Sequence, residues 1–127
     1  MKTKGFDLEE RLIDFAVRII TVSEALPPTK AGNHMANQLV RSGTSPALNY
    51  GEAQGAESKS DFIHKFKVVL KELRETSVSL RISKRLGPAE LEPRIAEALD
   101  ECNQLIAIFV ASIQTARGHR NKEGRAQ

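Results

Sequence analysis

The chain predicts an all-α fold, an antiparallel up-down-up-down four-helix bundle, from three observations. Apolar residues recur at alternating spacings of 4 and 3 through four separate segments, and Pro or Gly falls between them. The apolar mass is Leu, Ile, Val and Ala, with aromatics at 5% and no Trp, alongside abundant Glu, Lys and Arg. At 127 residues one domain is expected, and no strand-like alternation competes.

The first segment, about Asp7 to Leu26, sets Leu8, Leu12, Phe15, Ile19, Val22 and Leu26 on one face before Pro27-Pro28 stops it. A second helix starts at Thr29 or Lys30 and runs to about Gln54; Pro46 removes a backbone donor and predicts a kink or local loosening. Ser58-Lys-Ser-Asp61 resembles a capping box, with Asp replacing Glu or Gln. It opens a third helix marked by Phe62, Phe66, Val69, Leu73 and Leu80 and closed by Gly87-Pro88. The fourth carries Leu91, Ile95, Ala98, Cys102, Leu105 and Phe109, accepts Pro93 in its first turn, and fades near Arg117. The expected division is therefore a bundle domain over 1–117 and a disordered basic tail over 118–127, which lacks large apolar residues. Beside the main seams lie second apolar flanks, Ile13, Val17 and Ile20 on helix one and Leu99, Ile106 and Val110 on helix four. These are either the broad faces of ordinary globular helices or a subunit interface.

The formal charge of +3, from 19 basic and 16 acidic residues, does not by itself call for a polyanionic partner; its distribution matters more. Lys67, Arg74 and Arg81 recur every seven residues on helix three, and Lys71 and Arg85 fall on the adjoining line, making a basic stripe. Asp61, Glu72 and Glu75 occupy the other side, with Lys65 as the exception. Only Lys71 has a helix-spaced acidic partner, Glu75. Three roles are open to the stripe: a solvated face neutralised by acids such as Glu97, Asp100 and Glu101 of a neighbouring helix, a phosphate-binding surface, or one half of a head-to-tail contact between subunits. No aromatics alternate with the cations, so any nucleic-acid binding should be largely independent of sequence.

Ser42, Ser45, Asn49 and Glu52, spaced 3, 4 and 3, form a polar ribbon beside the apolar line of Met35, Leu39, Pro46 and Ala53. With Arg41 they suit a structural hydrogen-bond network in which Glu52 accepts from a donor on helix one or three. Asn49 and Glu52 would also fit a catalytic or metal-ordering pair, but their place beside the core favours structure. His34, His64 and His119 lack metal-ligand spacing, the serines lack a nucleophile elbow, and Cys102 lies in an apolar run as a buried thiol. No enzyme activity, metal or cofactor is expected. The N-terminus has no apolar signal core, and no run approaches the ~20 apolar residues of a membrane span, so a cytoplasmic protein is expected.

Arg41-Ser42-x-x-Ser45-x-x-x-Asn49-x-x-Glu52, then Gln54-Gly55, Ser58-x-x-Asp61-Phe62 and the run Lys71 to Thr76, resemble the bacterial four helix bundle family first noticed as reading frames inside intervening sequences of 23S ribosomal RNA genes. The resemblance covers about Asp7 to Ala116 and is sharpest between Arg41 and Thr76; Ala53 stands where many relatives have Gly. It implies a left-handed bundle that assembles into a homopentameric ring, which would give the extra flanks of helices one and four a purpose. The family is similar to accessory proteins of diversity-generating retroelements, which associate with a reverse transcriptase and bind nucleic acid through a basic ring surface. The resemblance thus implies an oligomeric RNA- or DNA-binding accessory, and the basic stripe of Lys67, Lys71, Arg74, Arg81 and Arg85 is the surface that the charge pattern offers for it. The competing expectation is a scaffold for a partner protein, a reverse transcriptase for example, with no direct nucleic-acid role.

Overall fold

The structure is a computed structural model that describes the backbone of residues 7–126 and the side chains of residues 7–118. Four α-helices carry the fold, and no strand occurs among the described residues: α1 (Leu8–Ala25), α2 (Lys30–Ala53), α3 (Lys59–Leu86) and α4 (Glu92–Ala126), the last preceded by a single 3₁₀ turn, Ala89–Leu91. Their starts are set locally. The side chains of Asp7, Thr29 and Ser58 accept from the backbone N–H three residues on, at Glu10, Gly32 and Asp61. Asp61 reaches back to the N–H of Glu57 at 3.4 Å, one residue earlier than a standard capping box would have it. The end of α3 is fixed by Gly87 at φ 84°, a left-handed conformation that side chains disfavour.

α1 packs on α2, α2 on α3, α3 on α4, and α4 returns to α1. Contacts between neighbours run in opposite numerical order: Arg11 meets Glu101 while Arg18 meets Glu97, and Ser42 meets Thr76 while Glu52 meets Lys65. The 4-3 positions converge on one core, where Leu12, Ile19, Leu39, Val69, Leu73, Leu80, Ile95, Leu105 and Phe109 are fully buried. Each such side chain contributes roughly 1.5–3 kcal/mol of apolar transfer. One end is filled by a ring cluster, in which Phe66 lies 4.3 Å from Phe62, 5.0 Å from Phe109 and 5.7 Å from Tyr50 between centroids.

Two details depart from the sequence reading. Close helix approach occurs at Gly43, where an added Cβ would sit 2.5 Å from Ile19 Cγ2 and 2.8 Å from its Cβ. Gly43 therefore lets α1 seat directly on α2, while Ala53 is simply buried. The helical backbone of α4 also continues to Ala126, past Arg117, through residues such as Arg, Lys and Glu that are adequate helix formers. The side chains of the expected 118–127 tail lie, from His119 on, outside the described residues; among those described, Ile113 is the last that α4 buries.

Candidate nucleic-acid interface

α3 is held on the bundle by Phe66, Val69, Leu73, Thr76 and Leu80, so helical pitch turns Lys67, Lys71, Arg74, Arg81 and Arg85 outward, and all five are exposed. Lys71 lies 4.0 Å from Glu72; the other four form no ion pair among the described residues. The α4 acids that the sequence offered as their partners are turned elsewhere. Glu101 takes a two-pronged contact from Arg11 of α1, at 2.7 Å to Nε and 2.9 Å to Nη2. Glu97 meets Arg18 at 3.4 Å, and Asp100 accepts from Gln104 on its own helix. Glu97 and Glu101 of α4 thus serve α1 and Asp100 its own helix, and apart from Lys71 the stripe forms no ion pair among the described residues.

The stripe also extends further than the sequence showed. Lys59, Ser60, Ile63, His64 and Lys67 at the start of α3 line an open cleft of about 550 Å³ together with Arg117 of α4. Lys59 and Arg117 lie 58 residues apart in the chain and share this cleft only because α3 folds back against α4. No spacing pattern within one helix could have found that pair. A continuous band of cations therefore runs from Lys59 and Arg117 through Lys67, Lys71 and Arg74 to Arg81 and Arg85.

Arg41, Ser45, Asn49 and Glu52 are not joined into one network. Arg41 donates to Gln38 at 2.6 Å, and Asn49 Nδ2 donates to Ser45 Oγ at 2.8 Å and to the Ser45 carbonyl at 3.1 Å. Glu52 accepts from Lys65 on α3 at 2.6 Å, a hydrogen bond that raises the Lys65 ammonium above its usual range. The ribbon spans too many turns for all its members to meet, so only Asn49 and Ser45, one turn apart, touch, and the others find partners outside it. The deep polar contact lies instead at Ser42 and Thr76, both buried, whose hydroxyls are 2.9 Å apart while Thr76 Oγ1 also lies 2.8 Å from the Glu72 carbonyl. Glu72 itself is half-buried beside Glu75. Desolvation first, then hydrogen bonding and repulsion from Glu75, raise its carboxyl above the usual carboxylate range.

Cys102 donates its thiol to the Leu73 carbonyl at 3.2 Å, and burial pushes its pKa up to about 12, so it is unreactive while folded. No group of three His, Cys, Asp or Glu residues suited to a metal occurs among the described residues. No helix of the described residues is long and apolar enough to cross a membrane.

A family model described as the 23S rRNA-intervening sequence protein matches residues 6–111. A crystal structure of a protein of unknown function from the S23 ribosomal protein family of Bacteroides thetaiotaomicron is similar to this chain, with a TM-score of 0.75 and 28% sequence identity over 85% of this chain and 99% of that one. No curated protein matches the chain.

Proposed function

Because the chain belongs to the 23S rRNA-intervening sequence protein family, we propose that it is a non-enzymatic, homo-oligomeric helical scaffold of the cytoplasm that binds RNA or DNA through phosphates. The observation that carries this reading is the orientation of Glu97 and Glu101 toward α1, which leaves Lys67, Arg74, Arg81 and Arg85 without an ion pair among the described residues and continuous with Lys59 and Arg117. The opposed numbering of neighbouring contacts supports antiparallel, up-down-up-down packing, the left-handed sense is carried over from the family resemblance, and a pentameric ring would multiply the band into a belt. The aromatic rings stack on one another in the core and are not interleaved with the cations, so the belt should bind without sequence preference.

A scaffold for a partner protein such as a reverse transcriptase is the second reading, favoured by the exposed aliphatics Val78, Ile82 and Leu86 among the cations of α3. Light scattering of the chain, alone and with short RNA and DNA duplexes, separates the two. Phosphate-driven binding should fall on the order of 10³-fold between ~50 and ~200 mM salt. An oligomer whose mass ignores both nucleic acid and salt would favour the protein scaffold.

A further inference from the structure

One end of the bundle holds a recess that its packing leaves unfilled. The turn between α1 and α2 meets the C-terminal end of α3 there, and Leu26, Pro27, Gly32, Met35, Ser83 and Leu86 enclose a cavity of about 180 Å³. Gly32 lets the turn lie directly against α2, since a side chain at that position would strike the Pro27 carbonyl. The exposed residues of the lining, Thr29, Ala31 and Leu86, mark its mouth. Among the described residues, no charged side chain lines it.

Most polar groups of this wall are already paired. The Pro27 carbonyl accepts from the N–H of Thr29, the Thr29 hydroxyl from that of Gly32, and the Ser83 carbonyl from that of Gly87. The exception is the hydroxyl of Ser83, a residue 0% exposed, which has no hydrogen-bond partner. Water answers it poorly, because a buried water makes about three hydrogen bonds and cavities with apolar walls stay dry. A molecule that brings its own apolar body meets both demands. An apolar cavity of about 150 Å³ takes benzene, so this one has room for a six-membered ring with one substituent. Ser83 lies just behind the cavity surface, and two adaptable side chains, unbranched Met35 and exposed Leu86, can shift to admit a ligand to it.

We propose that this cavity binds a small uncharged molecule with an apolar ring and a single hydroxyl, phenol being the simplest member of the class. Its hydroxyl bonds to that of Ser83, and its ring rests against Leu26, Pro27 and Met35. Both hydroxyls are donor and acceptor at once, so the pair is satisfied in either sense. A carboxylate or an ammonium is excluded, because the cavity offers no opposite charge to offset its desolvation. The site shares no residue with the cationic band of α3 and stands whether or not that band holds phosphates.

The test titrates the full-length chain with phenol, with toluene as the analogue lacking the hydroxyl and benzoate as the charged one, and follows the NMR signal of the Met35 methyl group. Phenol should shift that signal to saturation at millimolar concentration or below, and benzoate should leave it in place. Ala31→Phe, an exposed substitution at the mouth, should abolish the response while circular dichroism shows the helices intact. Ser83→Ala should cut the preference for phenol over toluene by roughly 2–12-fold, the worth of one neutral hydrogen bond. Without ligand the same variant should unfold at the wild-type temperature or above, because it removes an unpaired hydroxyl and no bond. A Met35 signal that ignores phenol overturns the site, and a response that survives Ala31→Phe places the ligand elsewhere and does the same. A phenol preference unchanged in Ser83→Ala, or a lower unfolding temperature of that variant, overturns the role of the hydroxyl and with it the ligand class.

Discussion

From Lys59 to Thr76, α3 turns Lys59, His64, Lys67 and Lys71 outward and exposes no large aliphatic side chain; from Ser77 to Leu86, Arg81 and Arg85 alternate with exposed Val78, Ile82 and Leu86. By charge the two halves form one stripe. By solvation they differ, because water and mobile ions can satisfy the first half completely but leave apolar area uncovered on the second. A repeat of cations every seven residues therefore says less about function than the residues between them. The first half suits a polyanion held at its phosphates, and the second a surface that is itself amphipathic.

The strongest way to break this comparison is to make the second half resemble the first. With Val78→Lys and Ile82→Lys, the log-log salt slope for RNA should steepen by roughly 0.9 for each new phosphate contact. The reverse test is Lys59→Glu with Lys67→Glu. This should leave the oligomer mass unchanged and lower RNA affinity about tenfold or more at ~50 mM salt, read by fluorescence anisotropy. Gly43→Val addresses the seat of α1 on α2: its side chain would strike Ile19, and urea unfolding should show a loss of about 2–3 kcal/mol.

The smallest effect is expected at Glu72, near the end of the first half. Its carboxyl is raised in the folded chain, so its favourable contribution is full below the usual carboxylate pKa and fades as pH climbs through the raised value. Wild type should lose stability across that rise. Glu72→Gln should not, and at neutral pH it should be more stable by less than about 1 kcal/mol, measured by thermal unfolding across a pH series.

The helix limits were legible because their causes are local: Asp7, Thr29 and Ser58 act on the N–H three residues away, and Gly87 acts on its own backbone. The core was legible for the same reason, since period alone assigns Leu12 or Leu73 to a face. What the sequence could not supply was the rotation and reach of one helix against another. Glu101 could face α1 or α3 until the bundle fixed α4, and the pairing with Arg11 decided it. Gly43 reads as an ordinary weak helix position until Ile19 is placed against it, and Arg117 joins the α3 cations only through the fold. The polar ribbon was correctly assigned to one side of α2, yet sharing a side did not mean touching: Arg41 stops at Gln38 and Glu52 at Lys65.

The single thiol of the chain, Cys102, is sealed between α3 and α4, hydrogen-bonded to Leu73 and held protonated by burial. That makes it a clock for the seam behind the cationic band. A thiol reagent can react only after α3 and α4 part, so the labelling rate counts openings of that seam in the native protein, with no probe to install. If binding along α3 stiffens the helix, the same cysteine should slow as a partner docks, and the local motion of a buried seam becomes readable through one atom of sulfur.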